Sequence, residues 1–192
     1  MNDQISLKID SMIWDCYAKT ADIILQGRRS VVTPILDAST QPHDYADNSD
    51  YCMKSLRAWR KNINMPVVID LYLLDVNNNK HLLERWHFLY TRKDDNKDSR
   101  LSLINRKIVT ILRTLYCFVR LLPGFQLLLL SPKPSNISFS MYNPDLQACP
   151  AFQVETSFYE FPRINSSKGV FTLSVRYMKS FVLQVFLLNI FQ

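Results

Sequence analysis

Three arginines spaced seven residues apart, Arg106, Arg113 and Arg120, are the side chains of this 192-residue chain whose type and spacing best suit chemistry. Arginine keeps its charge at every physiological pH and presents a planar fork of donors that fits a phosphate or a carboxylate. On a helix a seven-residue step drifts by only about 20°, so all three project in nearly one direction. The chemistry they offer is recognition of an anion. Bond making has little support. His43 lies in a polar loop, His81 opens a strand candidate and His87 stands between Trp86 and Phe88, none with a cysteine or carboxylate at a motif spacing. The only glutamates are Glu84, Glu155 and Glu160, which form no local pair for general acid–base work. Gly27, Gly124 and Gly169 are too few and too scattered for a phosphate-cradling loop. Cys16, Cys52, Cys117 and Cys149 make neither a zinc motif nor a disulfide framework and fit a reducing compartment. The expectation is a non-enzyme with no cofactor, no metal and no catalytic residue.

The stripe needs a helix to carry it. From Ser99 to Pro123, Leu101, Ile104, Ile108, Ile111, Leu112, Leu115, Phe118, Val119 and Leu122 fall on one broad apolar arc. Ser99, Ser102, Arg106, Thr110, Arg113, Cys117 and Arg120 fall opposite, so the arc predicts a core helix with one solvated edge. Asp98 or Ser99 is the expected cap, and Pro123-Gly124 the turn that ends it. Ile5, Ile9, Ile13, Tyr17, Ala21 and Ile24 predict a first helix of about 20 residues stopped by Gly27. A short helix from Tyr51 to Lys61 is expected to bury Cys52, Leu56 and Trp59. The period then changes to two: Val67 to Leu74 and His81 to Tyr90, joined by VNNNK, read as a hairpin. Further strand candidates are Phe125 to Leu130, Ile137 to Tyr142, Phe152 to Phe161 and Val170 to Lys179. This order describes an α+β sandwich with helices on one face of an antiparallel sheet. Trp86, Phe88 and Tyr90, spaced by two, share a face that reads as core. Arg176 alternates with Val175 and Tyr177, and its expected place is on the same basic surface as the stripe.

The net charge is +6, and all of the excess lies in the second half: residues 97 to 192 hold 11 basic and 4 acidic side chains. Such an imbalance favours an anionic partner, whether a phosphorylated protein, an anionic membrane surface or nucleic acid. Aromatic content is 12%, but no nucleic-acid motif is present, so nucleic acid is not the expected partner. MNDQISLKID has no signal-peptide character, and the longest apolar runs fall short of a membrane span, which points to the cytoplasm. The final dozen residues, FVLQVFLLNIFQ, are apolar and uncharged.

LRTLYCFVRLLPGFQLL, with the preceding ERWHFLY and the later GVFTLSVRY, resembles the N-terminal HORMA domain of the autophagy-related protein thirteen family. The resemblance runs from about residue 7 to residue 180, and residues 181–192 depart from it as an atypical tail. It implies a HORMA-like α+β fold, with three helices, one long and central, packed on an antiparallel sheet. It also implies a non-catalytic scaffold of the autophagy-initiation kinase complex at the phagophore assembly site. The partners implied are a second HORMA protein as heterodimer, lipid-kinase subunits, vesicle proteins and anionic membrane. Arg113, in LRTLY, is the residue carried over as an anion or partner contact, with Arg120, Arg106 and Arg176 beside it. Family members bind the kinase through a long disordered tail. Alternatives are a peptide-clasping HORMA adaptor of the checkpoint or meiotic kind and a basic module for anionic lipid or nucleic acid.

Overall fold

The computed structural model describes residues 2–27, 32–34, 56–57, 59–75, 77, 79–93, 100–130 and 137–179. The apolar tail, Asp98, Ser99 and Cys52 lie outside them. The first helix, α1, spans Asn2–Gln26 and buries Ile9, Ile13, Tyr17, Ala21 and Ile24, the spacing its sequence predicts. Leu56 and Trp59, buried as expected, belong to a helical stretch before β2. The strands are β1 (Val32–Pro34), β2 (Val67–Leu74), β3 (Lys80–Arg92), β4 (Ile137–Tyr142), β5 (Thr156–Glu160), β6 (Ile164–Ser166) and β7 (Gly169–Met178). They form one sheet in the order β1-β4-β2-β3-β7-β5, with β6 also on β7. Among the described residues the strand pairings are antiparallel except the short parallel contact of β1 with β4.

The central helix, α2, spans Leu101–Phe118 and runs on through a 3-10 turn at Val119–Leu121. Arg100, not Asp98 or Ser99, takes the N-cap position, with no side-chain cap bond. Ile104, Ile108, Ile111, Leu115, Val119 and Leu122 are buried. Their common arc meets the face of the sheet that carries Trp86, Phe88, Tyr90, Phe171, Leu173 and Val175. Aromatic contacts bind the layers: Tyr17 of α1 stacks on Phe88 at 5.9 Å, and Phe118 of α2 stacks on Tyr159 at 4.6 Å.

The run Phe125 to Leu130, expected as a strand, is instead part of a third helix, α3, at Pro123–Leu130. Its leucines suit either state, and the N-terminal end decides between them. Proline is pre-organised for the first helical turn. The Gly124 amide donates to Glu84 Oε1 at 2.8 Å, so a buried carboxylate caps the helix. Pro123 thus begins a helix where the sequence suggested only a turn.

A bulge shapes the hairpin. Leu71 pairs with Glu84 and Tyr72 with Leu82, so Leu83 has no partner across the ladder and is buried in the core. The VNNNK turn is tied by Asp75, whose Oδ1 accepts the backbone amides of Asn77 and Asn79 at 2.8 Å each, and whose Oδ2 accepts the Asn79 side-chain amide at 2.8 Å. These donors, the Asn79 side chain first, hold the Asp75 carboxyl at about 2, against an ordinary 3.8. The folded pKa is depressed, so the contribution is complete above the ordinary value and disappears as pH falls from about 4 to about 2. Asp75→Asn is expected to flatten the acid side of the stability profile over that window, as read from urea midpoints at successive pH values. A variant with the parent's slope there would contradict the turn's role.

Candidate functional site

The outward edge of α2 carries the arginines. Arg106, Arg113 and Arg120 are all exposed, as are Ser102, Thr110 and Cys117 of the predicted stripe. Thr110 and Thr114 donate their hydroxyls back to the carbonyls of Arg106 and Thr110 at 2.9 and 3.0 Å, so both are engaged within the helix. The Arg120 guanidinium lies 4.3 Å over the ring of exposed Tyr116 and donates to its hydroxyl. No acidic residue occurs between Asp98 and Asp145. Among the described residues none of the three arginines enters an ion pair. Among the described residues the edge is therefore cationic and without a paired acid. Apolar side chains interrupt it: Leu103 is 48% exposed, Tyr116 53% and Leu121 67%.

The stripe divides along its length. Arg106 meets Lys107 and Arg163 around a groove of about 300 Å³ whose apolar lining includes Leu103, Ile111 and Pro162. Lys107 and Arg163 are the members that sequence reasoning missed. Arg163 comes from the turn between β5 and β6, and no local pattern ties it to the helix.

Arg176 belongs elsewhere. Val175 and Tyr177 face the helices, so the alternation of β7 puts Arg176 on the opposite side of the sheet, where it pairs in register with Arg85. Its guanidinium sits 5.7 Å over Phe158. It does not join the helix stripe.

That outer face has its own polar network. Asp70, fully buried, receives Arg85 Nε and Nη2 at 2.7 Å each, and the hydroxyls of Tyr72 and Tyr142 at 3.0 and 2.8 Å. Burial and the adjacent carboxylate keep both phenols protonated, that of Tyr72 pushed up to about 12. Arg85 Nη2 also donates to the Pro150 carbonyl at 2.8 Å, and His81 bridges Asp75 Oδ2 and Gln153 Oε1 at 3.2 and 3.0 Å. The segment from residue 147 to residue 153 is thereby strapped across the outer face. Beside it opens a cavity of about 420 Å³ lined by Tyr72, Lys80, Ser140, Tyr142, Gln147 and Gln153. Burial lowers the pKa of His87, also on this face.

No group of histidine, cysteine, aspartate or glutamate side chains among the described residues has a metal-binding arrangement. No described helix is long and apolar enough to cross a membrane. Burial raises the Cys16 thiol to about 12 and removes it as a nucleophile.

Comparison with known proteins places this architecture. Residues 74–143, from the end of β2 through α2 to β4, match the family model described as Autophagy-related protein 13. A structure described as the Atg13 HORMA domain aligns over 91% of this chain and 96% of its own, with a TM-score of 0.61 at 16% identity. The chain folds as a HORMA domain, and its middle segment is Atg13-like. Two further HORMA-shaped matches carry other titles. One, from the crystal structure of the mitotic checkpoint complex, covers 90% of this chain and 99% of its own at 12% identity and a TM-score of 0.57. The other, C. elegans HTP-1 bound to HIM-3 closure motif, covers 88% and 89% at 9% identity and a TM-score of 0.52. No match among curated protein sequences reaches significance. In this HORMA domain the Atg13-like segment contains all of α2, and with it the whole arginine stripe.

Proposed function

We propose that this HORMA domain is a non-catalytic adaptor of the autophagy-initiation kinase complex, and that the outward face of α2 docks a partner HORMA protein. Arg113 is the central contact, flanked by Arg120 and Arg106. Through that pairing the domain recruits autophagy factors, among them lipid-kinase subunits and vesicle proteins, to the phagophore assembly site from the cytoplasm. The observation that carries this reading is an Atg13-like segment whose long helix is buried on one side and, on the other, cationic, partly apolar and without an ion pair among the described residues. A face of that kind suits a partner with a complementary acidic surface, because charge sets orientation while exposed leucines and tyrosine supply buried area. Arg176, on the other side of the sheet, serves a separate anionic contact in this scheme.

The test is charge reversal. Arg113→Glu is expected to keep the parent melting temperature, since the side chain is exposed, and to weaken co-purification with an autophagy HORMA partner by at least about tenfold. Binding equal to the parent would sink the reading.

A second reading rests on the strap at residues 147–153, fastened by Arg85 and His81. Here the domain clasps an extended peptide; the similar HTP-1 structure is described as bound to the HIM-3 closure motif. Hydrogen exchange in residues 150–179 that changes on adding a candidate peptide favours it. Saturable binding to anionic vesicles that ignores protein partners favours a lipid-binding module instead.

A further inference from the structure

The groove beside the N-terminal half of α2 has a lining that differs from the rest of the stripe. Leu103, Lys107, Thr110, Ile111 and Thr114 share one edge of the helix, and Pro162 and Arg163 of the β5–β6 turn form the opposite wall. The floor is apolar: Leu103 is half exposed, and Ile111 continues it into the core. Both threonine hydroxyls point back into helix hydrogen bonds, which leaves a non-polar surface toward the groove. Cations stand around this floor. Arg106 and Lys107 enter no ion pair among the described residues, and Arg163 pairs with Glu160 at 2.8 Å. Among the described residues the groove is lined by three basic side chains and no carboxylate, and the one ion pair at its edge is that of Arg163 with Glu160.

We infer that this groove receives a short acidic peptide segment of a partner protein, with one aliphatic or aromatic side chain seated between Leu103, Ile111 and Pro162 and flanking carboxylates paired with Arg106, Lys107 and Arg163. The inference deepens the docking face proposed above and rests on that reading for its biological setting, but the groove itself does not include Arg113 or Arg120. Charge complementarity selects the occupant: a neutral hydrophobic segment leaves the rim cations unpaired, and a purely acidic one leaves the floor wet.

The experiment uses fluorescein-labelled synthetic peptides and anisotropy on the full chain. The probe is Gly-Asp-Glu-Leu-Asp-Glu-Gly, and its controls replace the leucine by alanine or the four acids by their amides. Saturable binding of the probe, with at least tenfold loss in both controls, is expected. Thr110→Trp, which fills the groove from an exposed position, is expected to cause a similar loss at an unchanged melting temperature. Arg106→Glu is expected to match it. Equal binding of the leucine and alanine peptides, full binding by Thr110→Trp, or displacement by phosphatidylserine vesicles but not by unlabelled peptide would each overturn the proposal. The two readings separate cleanly. Arg113→Glu that loses the HORMA partner yet keeps the peptide supports the groove as a distinct subsite. Loss of the peptide in Arg113→Glu with full binding by Thr110→Trp overturns it.

Discussion

Replacing Glu84 by alanine is expected to cost this domain about 3–5 kcal/mol, from two buried donors left unsatisfied at about 1–3 kcal/mol each together with the cavity the side chain leaves. Glu84 is fully buried beneath the helix layer. Its Oε1 accepts the Gly124 amide at 2.8 Å and its Oε2 accepts the Trp86 indole N–H at 3.0 Å. Alanine strands both donors out of reach of water, opens a cavity beside Trp86 and removes the negative charge that faces the positive end of α3. For a chain of this length the loss corresponds to a melting temperature lower by roughly 10 °C. Glu84→Gln keeps an acceptor for one donor while losing the charge, so its loss is expected to be about half as large. Thermal and urea unfolding followed by tryptophan fluorescence read both. An alanine variant within 2 °C of the parent would show that α3 is held by its leucines alone.

Asp70→Ala is expected to be comparably severe, again about 3–5 kcal/mol, because it leaves two phenols without this buried acceptor, at about 1–3 kcal/mol each, and the partly buried Arg85 guanidinium without its counter-ion. The pairing is also mechanical. Arg85 reaches Pro150 only while Asp70 holds its fork in place, so the strap at residues 147–153 is expected to gain hydrogen exchange out of proportion to global unfolding. The double variant Asp70→Ala/Arg85→Met removes the stranded charge and is expected to be more stable than Asp70→Ala alone. Additive losses in the double variant would contradict the pairing, and unchanged exchange in the strap would separate it from the ion pair.

Much of the architecture follows from pattern, because burial acts on single elements. The α2 arc from Leu101 to Leu122, the hairpin strands and the alternation through Trp86, Phe88 and Tyr90 each face one environment, and their periods record it. The leucine run after Pro123 was ambiguous for the same reason: it is apolar all round, and the group that makes it a helix, Glu84, lies 40 residues earlier across the core. The arginine stripe was legible as an exposed edge, since heptad spacing fixes direction. Its division was not. Lys107 reads as an ordinary solvated lysine until the β5–β6 turn brings Arg163 opposite, and Arg176 reads as a neighbour until the sheet is seen to separate it from α2. The Asp70–Arg85 pair was equally hidden, because cross-strand register sets its partners and no local spacing announces it.

The most direct test of the docking face uses two cysteines that the molecule already presents on opposite sides. Cys117 is exposed on the arginine edge of α2, and Cys149 is exposed within the strap on the other side of the sheet. A photoreactive maleimide is attached to one at a time, with Cys52 and the other exposed cysteine replaced by serine, and the labelled domain is illuminated with a purified autophagy HORMA partner. Cross-links from Cys117 and none from Cys149 are the predicted result. Cross-links from Cys149 alone would contradict it and move the interface to the strap.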